Sequence, residues 1–270
     1  MDFVCPKCKG KLNIVGASAR CEAGHSFDRA RAGYYNLLLG AGGGAHGDNR
    51  EMVEARSAFL DRGFYAPLAA KVAEVACAHL SAGGLVLDAG CGEGYYTDAV
   101  ERAIAKRDGG SRVVGFDISR DAVKRAAKRN GSISLAVASS YDMPLGTGEI
   151  DLLLNVFSPM AIEETKRVLK VGGVFIFVYP DVEHLFELKA AVYDTPYKNV
   201  PKEPALDGFR LLSDEGLEFL MNLDGQEDVL SLFMMTPYAY RTGAAERERL
   251  YALESLECRA QFRIAVYERL

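Results

Sequence analysis

The sequence predicts an α/β protein: a mostly parallel, seven-stranded sheet covered by helices, with a small metal-binding domain at its N-terminus. Three features lead to this prediction. Cysteine and histidine residues cluster within the first 25 positions, and from Leu85 onward short apolar segments alternate with amphipathic ones. Three glycines follow the first apolar segment at alternate positions. Strands that alternate with helices form right-handed βαβ units, which build parallel sheets.

The composition is that of an ordinary globular protein. The 270 residues are 49% hydrophobic and 26% charged, enough for one large core and a small extra domain. The longest purely apolar stretch, Val174 to Tyr179, is too short to span a bilayer. The first residues lack the basic and apolar regions of a secretory signal. We therefore expect a cytoplasmic protein that does not contact a membrane.

The N-terminal cluster has the spacing of a zinc site, Cys5-x2-Cys8-x12-Cys21-x3-His25. Thiolates and imidazoles are ligands that Zn²⁺ prefers, and four of them close a tetrahedral site. Because no coordination position stays open, we predict a structural Zn²⁺ rather than a catalytic one. The alternative is that one or two of these side chains are ordinary buried thiols. A disulfide framework would need an oxidising compartment, which nothing else in the sequence indicates.

The charge is distributed unevenly along the chain. Residues 1–40 hold six basic and three acidic side chains, whereas the whole chain has a net charge of −5. A basic domain on an acidic body favours phosphate contact through that domain, although a merely solvated surface is the alternative. The glycine-rich segment Gly40–Gly47 predicts a flexible boundary. We assign residues 1–36 to the zinc domain, 37–50 to a linker and 51–270 to a catalytic domain.

The catalytic domain is predicted to begin with a helical region, residues 51–80, which Gly63 divides into two helices. A turn is expected at residues 170–173, between the predicted helix 162–169 and the predicted strand 174–179. The predicted strands are 85–88, 113–117, 134–137, 151–157, 174–179, 217–221 and 258–267. The predicted helices are 95–105, 120–129, 162–169, 226–234 and 246–253.

The first predicted strand ends in a turn that contains Gly90, Gly92 and Gly94. Glycines let the backbone approach a ligand closely, here at the carboxyl end of a strand where such sheets bind nucleotides. The G-x-G-x-G spacing differs from the dinucleotide fingerprint, G-x-G-x-x-G. A generic dinucleotide-binding domain is the alternative interpretation of this turn.

Two acidic residues favour a sulfonium cofactor over a pyrophosphate. Asp117 ends the second strand and is placed to accept hydrogen bonds from both ribose hydroxyls. Asp88 is placed to face the cationic amino-acid end of the cofactor, directly or through water. A pyrophosphate would need donors and positive charge at this turn. An adenine ring would lie at Ala138–Asp142, so the sequence predicts a class I methyltransferase that binds S-adenosylmethionine.

Over nearly its full length the chain resembles the RlmA family of large-subunit ribosomal RNA (guanine-N1)-methyltransferases. The resemblance is carried by the Cys5/Cys8/Cys21/His25 set, Ser26–Asp28, Gly33–Leu38, Ala55–Asp61, Leu87–Thr97, Val137–Ser140, His184-Leu185-x-Glu187-Leu188-Lys189 and Met235–Ala239. The Gly47-Asp48-Asn49 segment is similar to the branch associated with resistance to macrolides of the tylosin type.

The resemblance implies cofactor contacts at Tyr65, at the Gly92-Glu93 pair and at His184. It also implies that the zinc domain grips an RNA hairpin and that the protein is a homodimer. On their own, Tyr65 and His184 would be interpreted as a packing residue and a capping residue.

The predicted acceptor, N1 of guanine, carries a proton at neutral pH and lies on the Watson–Crick edge, so the base must be unpaired or flipped. Enzymes that methylate exocyclic amines commonly place Asn/Asp-Pro-Pro-aromatic after the fourth strand. The doubled proline is missing here, which favours a ring nitrogen or another acceptor; the segment reads Asn155-Val156-Phe157-Ser158-Pro159. The sequence does not select a general base among Asp181, Glu183 and His184.

Two further interpretations remain open at this point. A small-molecule methyltransferase, for example of the quinone-biosynthesis type, would share the sheet and both acidic residues but would leave the zinc domain unexplained. An RNA-binding zinc domain on a degenerate Rossmann domain would predict a damaged glycine turn or the loss of Asp117. Both are intact.

Overall fold

The computed structural model describes residues 2–40, 47–200 and 205–270. Most of the glycine-rich segment that predicts a flexible linker, residues 41–46, lies outside this part of the chain. The helices are α1 Arg50–Asp61, α2 Ala66–His79, α3 Tyr95–Arg107, α4 Arg120–Arg129, α5 Ile162–Val168, α6 Phe186–Val192, α7 Gln226–Met234 and α8 Ala244–Tyr251. None of the helices in the described ranges has the length and apolar character needed to cross a membrane.

Strands β1 to β3 form a small antiparallel sheet in the N-terminal region: β1 Asn13–Val15, β2 Ser18–Arg20 and β3 Ser26–Asp28. The main sheet contains the other strands: β4 Tyr35–Asn36, β5 Leu85–Ala89, β6 Arg112–Asp117, β7 Ser134–Val137, β8 Ile150–Val156, β9 Leu169–Pro180, β10 Phe209–Leu223 and β11 Leu256–Arg269. Its order is β10-β11-β9-β8-β5-β6-β7-β4.

The main sheet has one strand more than the predicted seven. Strands β4 to β9 are parallel, and β11 and β10 are antiparallel. The added strand is β4, whose Tyr35 and Asn36 pair with Ala136 and Val137 of β7. It was missed because two residues are too few to show strand periodicity.

Alternate strand residues supply the cores on the two faces of the sheet. Val86 and Leu152 belong to a cluster with helices α1 to α4, whereas their neighbours Leu87 and Leu153 belong to a second cluster on the other face. The second cluster includes Phe3, Leu12, Tyr35 and Leu37 from the N-terminal region. The metal-binding region therefore forms part of the layer that covers this face.

Most predicted elements agree with the structure to within about two residues. Helix α4 has the predicted bounds, and Gly63, with φ of 82°, separates α1 from α2. Residues 170–173 are not a turn before a strand. They lie inside β9, where its pairing with β8 shifts in register. Before the shift Leu169 pairs with Ile150, and after it Val174 pairs with Leu152. Strand β10 is much longer than predicted, because it pairs with β11 along nearly its whole length, whereas β11 lies within two residues of its prediction at each end.

Candidate active site and zinc site

The four predicted metal ligands meet at one point. Their ligand atoms all lie within 4.8 Å of one another. The Cys8 and Cys21 sulfurs are 3.6 Å apart, and Nδ1 of His25 lies 3.5 Å from the Cys5 sulfur and 3.4 Å from the Cys21 sulfur. All six cysteines of the chain are free thiols.

The three shorter distances, 3.4 to 3.6 Å, fit a tetrahedral zinc ion. Zinc–sulfur bonds of about 2.3 Å and zinc–nitrogen bonds of about 2.0 Å give ligand–ligand edges of roughly 3.5 to 3.8 Å. A disulfide would instead require the sulfurs to be about 2 Å apart. His25 presents Nδ1 to the cluster, and three thiolates with one imidazole leave no position for water or substrate. The chain therefore has a structural zinc site.

The N-terminal region is joined to the main sheet beside the end of β7. The Val4 amide donates to the Pro144 carbonyl at 2.9 Å, and the Leu37 amide donates to the Val137 carbonyl at 2.9 Å. An ion pair between Lys9 and Asp142 adds to this contact, and a second pair, between Asp2 and Arg112, joins the region to the amino end of β6. The zinc site is thus fastened next to the segment Ala138–Asp142, where the sequence predicts the adenine ring.

A cavity of about 780 Å³ opens at the carboxyl ends of β5, β6, β8 and β9. This is the edge at which open α/β sheets bind ligands. Seven of the eight predicted cofactor residues line it: Tyr65, Asp88, Gly90, Gly92, Glu93, Asp117 and His184. Gly94 is not among the lining residues.

The three glycines of the turn are needed for different reasons. Gly90 and Gly94 both have φ of 83°, and a Cβ would lie 2.4 Å from Cβ of Ser158 and 2.9 Å from Cβ of Ala126, respectively. Gly92 has φ of 55°, and the nearest atom to its Cβ position is an Arg56 nitrogen at 4.0 Å. Gly92 therefore lets a ligand approach the backbone closely, whereas backbone conformation and packing require glycine at positions 90 and 94.

Asp88 is a buried carboxylate with spare hydrogen-bonding capacity. Its side chain is 2% exposed, Oδ2 accepts a 2.6 Å hydrogen bond from the Thr97 hydroxyl, and Oδ1 has no partner among the described residues. Burial raises its pKa to about 7. A cationic group next to Oδ1 would favour the ionised form, which fits the ammonium end of S-adenosylmethionine.

Asp117 is held in place by backbone amides. Its Oδ2 accepts from the Gly92 amide at 3.0 Å and its Oδ1 accepts from the Ser119 amide at 2.7 Å. Burial raises its pKa above the usual value. Each carboxylate oxygen has a second lone pair, so the group can still accept hydrogen bonds from two ribose hydroxyls.

The side chain of Glu93 is engaged with the protein itself. Its Oε2 accepts from the Ser57 hydroxyl at 2.9 Å and from the Arg129 guanidinium at 2.6 Å. These contacts connect α1 and α4 to the glycine turn. Glu93 Oε1 is buried without a partner among the described residues.

Tyr65 and His184 lie in one aromatic group around Phe262. The ring centroids are 5.1 Å apart for Tyr65 and Phe262, and 4.6 Å apart for His184 and Phe262. The Tyr65 hydroxyl is buried with no partner in the described chain. His184 Nδ1 accepts from the Gln261 amide at 3.2 Å, so the ring proton is on Nε2. Burial, followed by the charge of Lys189, lowers the pKa of His184 to about 3.

Comparison with known proteins gives two matches to protein families. Residues 3–39 match the zinc ribbon described as "RlmA, N-terminal", and residues 86–173 match a methyltransferase domain. A Bacillus subtilis protein named as a candidate 23S rRNA (guanine-N1)-methyltransferase is 31% identical over 94% of this chain and 92% of its own length. The chain belongs to the RlmA family of 23S rRNA (guanine-N1)-methyltransferases.

Two other members are similar to the chain over about two thirds of its length. The 23S rRNA (guanine(748)-N(1))-methyltransferase of Streptomyces fradiae is 39% identical over 70% of this chain and 66% of its own length. A Micromonospora griseorubida relative, named as a candidate 23S rRNA (guanine-N1)-methyltransferase, is 36% identical over 68% of this chain and 67% of its own length. The protein is therefore an S-adenosylmethionine-dependent methyltransferase.

Solved structures agree with the fold of the family. A candidate type II methyltransferase from Anaeromyxobacter dehalogenans has a TM-score of 0.51 at 21% identity, covering 74% of this chain and 95% of that one. A candidate methyltransferase from Bacillus halodurans has a TM-score of 0.50 at 16% identity, covering 74% and 97%. These similarities confirm the predicted class I methyltransferase fold.

Several cavity residues of this family member were not predicted from the sequence. Phe157 has an unusual φ of 58° and is 44% exposed, with its ring 5.4 Å from that of Phe262. The sequence identifies its segment, Asn155–Pro159, as part of the acceptor site but does not predict that the Phe157 side chain lines the cavity. Asn155 of the same segment does not line the cavity, and its amide donates to the Pro159 carbonyl at 3.1 Å. The other missed residues include Asp48, Arg56, Tyr96, Tyr197, Asn199, Tyr238 and Arg241.

The structure also separates the three candidates for a general base. Of Asp181, Glu183 and His184, His184 alone lines the cavity. Asp181 Oδ1 accepts from the Val182 amide, and Glu183 pairs with Lys198. Because His184 is a weak base whose Nδ1 is already occupied, its geometry suits hydrogen-bond donation through Nε2.

Proposed function

We propose that the protein transfers a methyl group from S-adenosylmethionine to N1 of a guanine in a hairpin of large-subunit ribosomal RNA. The observation that carries this proposal is the presence, in one chain, of a closed zinc cluster and of a cavity with a buried carboxylate, Asp88, whose Oδ1 has no partner among the described residues. The relative that aligns over 94% of the chain, across both regions, is named for guanine-N1 methylation of 23S rRNA.

S-adenosylmethionine supplies an activated methyl group when bound, so the protein mainly has to bind and orient its two substrates. Asp88 would bind the ammonium group through Oδ1, and Asp117 would accept the ribose hydroxyls. Gly92 would leave room for the cofactor beside the backbone. Tyr65 and His184 would contact the cofactor from the aromatic group around Phe262.

The acceptor base would enter the same cavity from the RNA. Since N1 lies on the pairing edge, the base has to leave the stack before it can react. Half-exposed aromatic rings suit a base that has lost its neighbours, because stacking restores part of the lost energy. Phe157 and Tyr197 are 44% and 48% exposed and both line the cavity.

Residues 1–36 would form the RNA-binding domain, connected through residues 37–50 to a catalytic domain of residues 51–270. The basic side chains of the first 40 residues are all exposed: Lys7, Lys9, Lys11, Arg20, Arg29 and Arg31. Exposed cations that neutralise phosphates give RNA affinity that decreases with salt. We further propose that the protein is cytoplasmic, in keeping with a ribosomal substrate, and that it is a homodimer, as the resemblance to the RlmA family implies.

The test is to delete the gene and map reverse-transcription stops on large-subunit ribosomal RNA. N1-methylguanine cannot pair, so it stops the transcriptase, and one stop should disappear on deletion and return on complementation. Purified protein should restore the stop on RNA from the deletion strain when S-adenosylmethionine is added. An unchanged set of stops would overturn the proposed RNA substrate but would not contradict the assignment as a methyltransferase.

A further inference from the structure

Lys189, on α6, has an ammonium group inside the protein. The residue is 1% exposed, and Nζ donates to Oδ1 of Asn199 at 2.7 Å. Nζ also lies over the rings of Tyr197 and Tyr238, at 4.6 and 5.2 Å from their centroids. Within the described ranges, no carboxylate forms an ion pair with it. Buried ammonium groups are normally paired, because an unpaired charge is costly to remove from water.

The partners of Lys189 connect it to the cavity. Tyr197, Asn199 and Tyr238 all line the cavity, whereas Lys189 lies behind them. The Asn199 amide also donates to the Asp181 carbonyl at 2.7 Å, so both ends of this side chain are fixed. We call these four residues the Lys189 wall. It presents two aromatic rings and an amide to the cavity, with a positive charge directly behind them.

We propose that Lys189 is a positioning residue for the acceptor base: it holds the wall against which the guanine lies, and its charge favours the guanine anion formed by loss of the N1 proton. This inference rests on the proposed function, and it adds a specific role for the Lys189 wall. A cation that is held over aromatic rings can stabilise negative charge that develops nearby. This stabilisation is stronger inside a protein than in water.

The transfer step explains why such a charge is useful. The N1–H bond breaks and its proton passes to water, while the N1 electron pair forms the new bond to the methyl carbon. The sulfur–carbon bond breaks and its electron pair stays on sulfur, giving S-adenosylhomocysteine. Negative charge on the deprotonated base is shared between N1 and O6. A nearby cation in a low-dielectric wall lowers the free energy of that state.

The titratable and charged groups on the elements around Lys189 are Glu187, Arg259, Arg249, Asp194, Tyr193, Tyr197, His184, Tyr238 and Arg241. Glu187 pairs with Arg259, and Arg249 pairs with Asp194, so these charges are already matched. Burial raises the pKa of both Tyr197 and Tyr238 and lowers that of His184, so these three neighbours are neutral. Arg241, which also lines the cavity, carries a second positive charge. Burial also lowers the pKa of Lys189, and no carboxylate among the described residues offsets that cost, so negative charge that develops on a base in the cavity would stabilise the charged form of Lys189.

The experiment measures kcat as a function of pH on a ribosomal RNA hairpin transcript, with both substrates saturating. Lys189→Met removes the charge and keeps the length of the side chain, and Lys189→Arg keeps the charge. We expect Lys189→Met to lower kcat at pH 7 about tenfold and to move the rising limb of the profile up by about one pH unit. Lys189→Arg should return the limb toward its wild-type position.

A matched control is Lys170→Met, which removes an exposed lysine that pairs with Asp151 at the amino end of β9. Its profile should equal that of the wild-type protein. Binding of S-adenosylhomocysteine, measured by calorimetry, should be the same in all variants. The inference is overturned if Lys189→Met keeps the wild-type limb, or loses activity equally at every pH together with weaker binding. If the wild-type protein methylates no guanine, the proposed function and the inference both fail.

Discussion

The zinc site and the cavity are built from very different lengths of chain. The four zinc ligands lie between Cys5 and His25, and they satisfy one another around a single ion. The cavity draws its lining from Gly47 to Arg241, and it contains buried polar atoms that have no partner in the part of the chain that the structure describes, including Asp88 Oδ1 and the Tyr65 hydroxyl. The zinc site is therefore a stabilising element, whereas the cavity keeps unsatisfied groups for its ligands.

The largest expected effect follows from breaking the zinc site. Cys8 is exposed, so Cys8→Ser removes a metal ligand with little loss of packing. Structural zinc contributes roughly 10 kcal/mol or more of folding free energy to domains this small. We expect zinc content to fall from about one equivalent to nearly none, and trypsin to cleave within residues 1–40. Cys77→Ser, outside the cluster, should keep the metal; full zinc occupancy in Cys8→Ser would contradict the assignment.

The second prediction concerns Asp88, whose Oδ1 has no partner among the described residues. Asp88→Asn should weaken binding of S-adenosylmethionine by about 2 kcal/mol or more, roughly thirtyfold, because it removes the charge facing the ammonium group. Isothermal titration calorimetry measures this. Asp121→Asn changes an exposed carboxylate on α4 and should have no effect. Equal affinities for the two variants would exclude Asp88 from the cofactor site.

The same carboxylate predicts a pH dependence of binding. The pKa of Asp88 is raised to about 7 in the free protein, so the group is protonated below that pH and ionised above it. A cationic ligand binds the ionised form, so affinity should fall as pH decreases below about 7, by up to about tenfold per pH unit. Calorimetry at pH 6 and pH 8 tests this. Asp88→Asn should lose this component of the dependence, and persistence of the same slope would assign it to another group.

Two glycines of one turn should differ in their effects on stability and on cofactor binding. Gly90→Ala places Cβ 2.4 Å from Cβ of Ser158 at φ of 83°, so it should lower the free energy of unfolding by about 3 kcal/mol. Gly92→Ala has open space and should lower it by about 1 kcal/mol, yet should weaken cofactor binding. Urea denaturation and calorimetry measure the two quantities. Equal destabilisation by both variants would show that Gly92 also has a mainly structural role.

The smallest effect is expected on the surface of the zinc domain. Lys11→Ala removes an exposed cation outside the metal cluster, so zinc content and unfolding free energy should not change. RNA affinity should decrease a few-fold, and the slope of log affinity against log salt should become smaller by about one. The control is Lys106→Ala at the end of α3, also exposed. An unchanged salt slope for Lys11→Ala would place the RNA contact elsewhere.

The sequence predicted best what depends on local pattern. The zinc ligands, the glycine turn and helix α4 follow from spacing, capping and periodicity within short segments. Tyr65 and His184 were proposed from a family resemblance alone, because nothing in their local pattern distinguishes a packing residue. The Lys189 wall was not foreseen, since its members come from α6, from the segment after it and from a turn near residue 238. Only tertiary packing brings these together.

Strand β4 has a consequence for the handling of the protein. Its two residues cover the outer side of β7, and the chain that leads to them carries the metal ligands. An uncovered strand edge presents free amide and carbonyl groups, which recruit strands from other molecules. Protein produced under zinc starvation should therefore self-associate through β7, and supplying zinc during expression should raise the soluble yield.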